Sequence, residues 1–121
     1  MKLHPHSPAE LAVTAIASGS VAINQTQYAH SVTVHGSIGV QVWLVKTLSE
    51  LSDTDLAGWI AAKPELVVLG SGTVHGFIQP KLAVKLAQAG IGIECMSTAA
   101  AVRTYNVLLD EGRDVLGAFI V

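Results

Sequence analysis

Residues 13–46 alternate between apolar and polar positions, which is the period of half-buried β-strands. Valine, isoleucine and threonine recur through this stretch, and glycines and the segment "NQTQ" interrupt it. In "QVWLVK", Trp43 and Val45 share one face, and their neighbours share the opposite face. We therefore predict three or four short strands, mostly antiparallel, with Trp43 as a large core residue.

The second half of the chain alternates helical periods with short apolar runs. "SDTDLAGWIAAKP" has an N-cap candidate in Ser52 or Asp53, apolar residues at helical spacing and a stop at Pro64. Nearly continuous apolar runs indicate strands covered on both faces, and helical crossovers between them indicate at least one parallel pair. The pattern predicts strands within 65–70, 90–96 and 114–121, and further helices over Pro80–Gln88 and Thr98–Asp110.

The pattern as a whole predicts one α/β domain over residues 1–121, with a β-rich first half and a β-α-β-α-β second half. Two domains of half this length would each have a core too small to be stable. Residues 1–10 are rich in proline and histidine and have no period, so we expect a loose lead-in there.

The composition indicates an apolar surface patch. Charged residues make up 13% of the chain, about half of the roughly 25% that is typical of soluble domains. So little charge leaves apolar side chains on the outside, where self-association or a protein partner would cover them.

Other partner classes are disfavoured by charge and length. A net charge of -2 supplies no basic face for nucleic acid, and the apolar runs are too short for membrane insertion. The N-terminal segment lacks the apolar core of a signal peptide, and the single cysteine fits a reducing compartment. We expect a cytoplasmic protein.

The loop "GSGTVHG" begins at Gly70, and its glycines suggest the hypothesis that its backbone binds a phosphate group. Gly70 and Gly72 permit close backbone approach, but His75 displaces the third glycine of a dinucleotide fingerprint and the helix waits until Pro80. A tight, closely packed loop is the favoured interpretation.

Glu94 is a carboxylate on an otherwise apolar predicted strand, in the segment "GIECMSTAAAVRTYNVLLDEGR". Burying it unpaired would cost several kcal/mol, so a partner is expected. The candidates are Arg103, Arg113, and the amides around Ser97 and Thr98. Those amides begin a helix, so they could equally bind a small external anion.

Two hypotheses follow for this corner. Glu94 could act as a general base and Arg103 as an anion clamp in a small pocket, or the charges could lock strand, helix and turn together. We favour the second, because no other carboxylate or histidine is spaced to complete an acid–base pair. Cys95 shares a face with apolar residues and is predicted to pack.

The histidines give no metal signal in sequence. Neither pair of histidines, His4 with His6 or His30 with His35, lies near a set of cysteines or acidic residues with metal-ligand spacing. We predict no metal and no cofactor.

The strings "LVVLGSG" and "GIGIECMSTAAAVRTYNVLLDEGRDV" resemble a family of small Mth-type domains of unknown function, which includes a mitochondrial complex I assembly factor and an adipogenesis-associated protein. The resemblance implies a three-layer α/β domain with a mixed central sheet and extra antiparallel strands. It also implies that the family's shared pocket residues correspond to Glu94, Met96, Thr98, Arg103, Asn106, Glu111 and Arg113.

No catalytic activity comes with that family, and its best-understood member binds other proteins during assembly of a respiratory complex. The expectation is a non-enzymatic protein-binding or assembly-type domain. The alternative is an enzyme or an anion-binding protein that uses a pocket around Glu94, Thr98 and Arg103.

Overall fold

A computed structural model describes residues 4–121. This part of the chain contains eight strands, four α-helices and one short 3-10 helix (Leu48–Glu50). In chain order the other elements are α1 (Pro8–Leu11), β1 (Val13–Ala17), β2 (Ser20–Ile23), β3 (Thr26–Tyr28), β4 (Val32–His35), β5 (Gly39–Val42), α2 (Asp53–Ala62), β6 (Leu66–Gly70), α3 (Pro80–Gln88), β7 (Gly92–Met96), α4 (Thr98–Asp110) and β8 (Val115–Phe119).

The central sheet has five strands in the order β5-β4-β8-β6-β7. β6 is parallel to both β7 and β8, whereas β4 is antiparallel to β5 and β8. Strands β5, β6, β7 and β8 therefore all end at the same edge of the sheet, where β4 begins. We refer to this end as the carboxyl edge.

A second, smaller sheet contains β1, β2 and β3, all antiparallel. The prediction of three or four strands in the first half is wrong, because five are formed. Asn24 and Gln25 both have positive φ (47° and 71°) and reverse the chain in a two-residue turn between β2 and β3. Such a turn usually carries glycine, but here the polar segment "NQTQ" marks it.

The domain has three layers. α4 and the small sheet cover one face of the central sheet, where Tyr105 packs edge-on against Phe119 with ring centroids 5.3 Å apart. α2 and α3 cover the other face, where Trp43 meets Trp59 at 5.9 Å. The predicted three-layer α/β architecture is confirmed, and Trp43 is the core residue that the alternation predicted.

The helices over Pro80–Gln88 and Thr98–Asp110 have the predicted bounds. One expectation is wrong: β7 is not covered on both faces. It lies at the sheet edge, and α4 packs chiefly over β6 and β8. Gly92 and Glu94 on that face of β7 therefore remain exposed.

Part of the predicted lead-in, residues 1–3, lies outside the described residues. The following residues contact the β4–β5 hairpin: the His6 N–H donates to the Gly36 carbonyl at 3.2 Å, and α1 begins at Pro8. In the range 4–121, no helix is both long and apolar enough to cross a membrane.

Candidate functional site

Glu94 does not have the partner that its apolar strand predicted. Its side chain is exposed, and within residues 4–121 it makes no hydrogen bond or ion pair. Arg103 is also exposed and, in the same range, unpaired. The hypothesis of a charge network that locks this corner is wrong, because a carboxylate on an edge strand keeps its water and needs no counter-charge.

Arg113 pairs elsewhere. Its Nε donates to Glu65 Oε2 at 2.8 Å, and its Nη2 contacts the same oxygen. This hydrogen bond raises the pKa of the Arg113 guanidinium. Both side chains are close to half exposed, so the pair ties the start of β6 to the turn before β8 and contributes little stability. Glu111 is exposed at the end of α4.

Thr98 joins three parts of the carboxyl edge. Its Oγ1 donates to the Ile120 carbonyl at 2.5 Å and accepts the Gly72 N–H at 2.9 Å. The Thr98 N–H donates to the Gly72 carbonyl at 2.8 Å. A Cβ on Gly70 would lie only 2.7 Å from Oγ1 and 2.9 Å from Cα of Thr98. The glycines of this loop therefore permit close packing against α4.

Ser71 and Cys95 hold the rest of the loop over residues 70–76, which we call the glycine loop. Ser71 Oγ accepts the Gly76 N–H at 3.0 Å and lies 2.7 Å from the Val74 carbonyl. The Cys95 thiol donates to the Gly76 carbonyl at 3.3 Å. Burial raises the pKa of this thiol, so the nucleophilic thiolate is disfavoured at neutral pH.

Asn106 of α4 is hydrogen-bonded to the first residue of β1 and so connects the small sheet to that helix. Its Oδ1 accepts the Val13 N–H at 2.9 Å, and its Nδ2 donates to the Val13 carbonyl at 2.8 Å. Beside it, the buried Tyr105 hydroxyl donates to the Leu11 carbonyl at 2.9 Å, and burial raises the pKa of that phenol. Met96 accepts a hydrogen bond from Thr104 at 3.4 Å. These side chains therefore make hydrogen bonds within the fold.

A cavity of about 220 Å³ opens beside Thr98 at the carboxyl edge, the end where open α/β sheets hold ligands. It is smaller than the roughly 300–1,000 Å³ of ordinary ligand pockets. Gly72 and Thr98 line it, whereas Glu94 and Arg103 do not. The lining consists of Ile16, Ala17, Ser18, Gly19, Gly72, Thr73, Thr98, Ala99, Ile120 and Val121.

The opposite end of the sheet holds a cluster that sequence reasoning missed. His35 Nε2 lies 2.6 Å from Asp114 Oδ1, and His4 Nε2 lies 3.4 Å from the same oxygen. The ligand atoms of the three residues all lie within 4.8 Å of one another. Sequence spacing did not indicate this cluster, since Asp114 is distant in sequence but adjacent in space, because β4 pairs with β8.

Removing the Glu94 carboxylate should leave stability unchanged. We expect Glu94→Gln and Arg103→Ala each to alter the free energy of unfolding by less than about 0.5 kcal/mol, the range of ordinary surface substitutions. Urea denaturation of each variant measures this. A loss above about 2 kcal/mol, typical of a broken buried ion pair, would show that the substituted side chain does form a stabilising ion pair.

The fold and its sites place the chain among small α/β domains of undetermined activity. Residues 13–120 match the family described as "Protein of unknown function (DUF498/DUF598)", and the chain belongs to that family.

Solved structures share the fold. A Bordetella parapertussis protein is 32% identical with a TM-score of 0.85, covering 92% of this chain and 95% of its own. A Bordetella pertussis protein described as a Mth938-like domain is 28% identical with a TM-score of 0.81, covering 98% of this chain and 91% of its own. A protein of Bartonella henselae described as an outer membrane protein is 26% identical with a TM-score of 0.81, covering 94% and 97%.

Among curated proteins, an uncharacterised Rhodobacter capsulatus protein is 41% identical over 61 residues, 50% of this chain and 49% of that protein. The "13 kDa major membrane protein" of Francisella tularensis is 30% identical over 56 residues, 46% of each chain. The chain thus spans about half the length of the curated relatives it matches.

Proposed function

We propose that this chain is a non-enzymatic protein-binding domain of the assembly-factor type, and that it binds a protein partner through its carboxyl edge. The observation that carries the proposal is a set of large apolar side chains exposed at that edge. They are Ile16, Val42, Leu44, Val74 and Phe77.

Their positions follow from the topology. Val42 is the last residue of β5, and Leu44 lies two residues further along the chain. The Trp43 N–H between them donates to the Ser31 carbonyl, just before β4. Val74 and Phe77 belong to the loop after β6, and Ile16 lines the cavity beside α4. Side chains that follow β5, at one end of the strand order, and β6, next to the other end, therefore lie at the same edge.

Exposure at these positions is high enough to matter. Leu44 is 84% and Phe77 81% exposed, and covering a leucine or phenylalanine side chain is worth about 1.5–3 kcal/mol each. Single exposed apolar residues are ordinary, but several at one edge of a chain poor in charge favour a partner surface.

The cavity supports the non-enzymatic part of the proposal. None of its lining residues has an ionisable side chain, so it supplies no general acid or base. Glu94 and Arg103, which an anion-binding or catalytic pocket was expected to use, lie outside the lining. The cytoplasmic location stays a prediction, since the descriptions of two relatives mention membranes.

Photo-crosslinking from defined positions tests the proposal in cells. A photoreactive phenylalanine analogue at position 77 or 44 should yield an adduct with the same protein. The matched control is position 84, where Val84 is 53% exposed on α3. We expect no such adduct there.

The binding contribution is measured with the partner so identified. Phe77→Asp and Leu44→Asp should each weaken its binding by about ten- to a hundredfold, whereas Val84→Asp should not. Equal adducts at all three positions, or none at 77 and 44, would contradict the proposal. If the only adduct joined two copies of this chain, the surface would serve self-association, and the proposal of a different protein partner would be wrong.

A further inference from the structure

A cluster of two imidazoles and one carboxylate lies at the opposite end of the sheet from the carboxyl edge. His35 ends β4, and Asp114 directly precedes β8, which pairs with β4. The Asp114 carbonyl accepts the Glu65 N–H at 2.8 Å, which fixes its backbone at the start of β6. The sheet thus holds two of the three side chains from rigid strands.

His4 completes the cluster because Gly36 makes room for it. A Cβ on Gly36 would lie 2.5 Å from Cδ2 and 2.8 Å from Cβ of His4, so the imidazole rests directly on the glycine backbone. The rings of His4 and His35 meet edge-on with centroids 4.8 Å apart. Among residues 4–121, the buried His4 Nε2 has no hydrogen-bond partner, and it lies 3.4 Å from Asp114 Oδ1.

We propose that His4, His35 and Asp114 bind one divalent transition metal ion of the Zn²⁺ class. A tetrahedral ion bonds nitrogen and oxygen at about 2.0–2.1 Å and therefore spaces its donor atoms about 3.4 Å apart. The His4–Asp114 distance already has that value. The His35–Asp114 distance of 2.6 Å widens when the ion replaces the hydrogen bond.

Charge and protons balance in that exchange. The single ring proton of neutral His35 moves from Nε2 to Nδ1 through solvent, so the imidazole stays neutral, and Nε2 and the carboxylate each bond the ion. Before the ion binds, Nδ1 accepts the Ser37 N–H at 3.2 Å. Once protonated, Nδ1 gives up that bond and donates instead to Ser37 Oγ, which lies 2.7 Å away. Outer hydrogen bonds of this type orient a ligating imidazole.

The donor set selects the class of ion. Imidazole nitrogens favour zinc and its neighbours, whereas magnesium and calcium prefer oxygen ligands alone. Three protein ligands leave a fourth position for water. His35 is only 1% exposed, while His4 and Asp114 are 22% and 18% exposed in their side chains, so the site is enclosed but reachable.

The site would fasten the segment that carries His4 to the central sheet, independently of the protein-binding surface. Bound Zn²⁺ should therefore raise the melting temperature of the chain by mass action. Failure of the metal site leaves the proposed partner surface untouched, because the two lie at opposite ends of the sheet.

Calorimetric titration of the tag-free full chain with Zn²⁺ tests the proposal. We expect saturation at one equivalent, and a Co²⁺ complex with the visible absorption of a tetrahedral ion. His4→Gln and Gly36→Ala should each weaken Zn²⁺ binding by at least the roughly ten- to hundredfold seen when supporting residues of metal sites are lost. Both lie at the margin of the cluster, so these variants should fold even where His35→Gln does not.

The controls are His30→Gln and His6→Gln. His30 lies two residues before β4, at the carboxyl edge. His6 lies in the same segment as His4 but contacts Glu10. Both variants should bind Zn²⁺ as the parent chain does. No saturation at one equivalent, full affinity in His4→Gln and Gly36→Ala, or equal loss in either control would overturn the assignment.

Discussion

Asn106→Ala is expected to lower the free energy of unfolding by about 2–4 kcal/mol, because it leaves two Val13 backbone groups without partners at about 1–3 kcal/mol each. Asn106 is the only described side chain that bonds both the N–H and the carbonyl of Val13. Val13 begins β1, so the loss should be concentrated in the small sheet. Urea denaturation measures the total change in free energy.

Hydrogen exchange locates the effect of that substitution. Amides of β1 and β2 should exchange faster in Asn106→Ala, while amides of β6 and β8 should keep their protection apart from the global change. Arg103→Ala is the matched control, since it removes an exposed polar side chain from the same helix. Similar losses in both variants would show that the loss of any polar side chain on α4, and not the loss of the two Val13 hydrogen bonds, causes the effect.

Thr98→Val should cost a comparable amount, about 2–4 kcal/mol. Valine keeps the shape of threonine but removes the hydroxyl. The Gly72 N–H and the Ile120 carbonyl then lose their bonds to Oγ1, which is buried. The free energy of unfolding from urea denaturation is again the measured quantity, and amide shifts of Gly72 should report the local change.

Thr104→Val is the control for that prediction. Thr104 lies in α4 too, but its hydroxyl donates only to the Met96 sulfur at 3.4 Å, a weak acceptor. We expect it to cost under about 0.5 kcal/mol. If Thr98→Val were equally mild, the junction of the glycine loop with α4 would not depend on the hydroxyl.

The strands and helices were largely predictable because their signals are local. Trp43 and Val45 could be assigned to one face from alternation alone, and α3 and α4 have the predicted bounds. The break at Asn24 and Gln25 was marked in sequence by the polar segment "NQTQ", although its left-handed backbone contains no glycine. The number of strands in the first half was nevertheless underestimated, since five form.

The candidate site was predicted less well. Gly70, Gly72 and Thr98 do meet at the carboxyl edge. Glu94 and Arg113 do not meet, because Arg113 pairs with Glu65. An apolar strand with one carboxylate looks the same in sequence whether it lies at the centre of a sheet or at its edge, yet only the centre demands a counter-charge.

The sequence by itself determined the α/β class, the positions of the main elements and the scarcity of charge, because periodicity and composition are properties of neighbouring residues. Tertiary structure alone decided that β7 is an edge strand and that Asn106 forms hydrogen bonds with β1. It alone also placed Asp114 beside His4 and His35. Strand order and helix packing join residues separated by most of the chain, and no local spacing records those contacts.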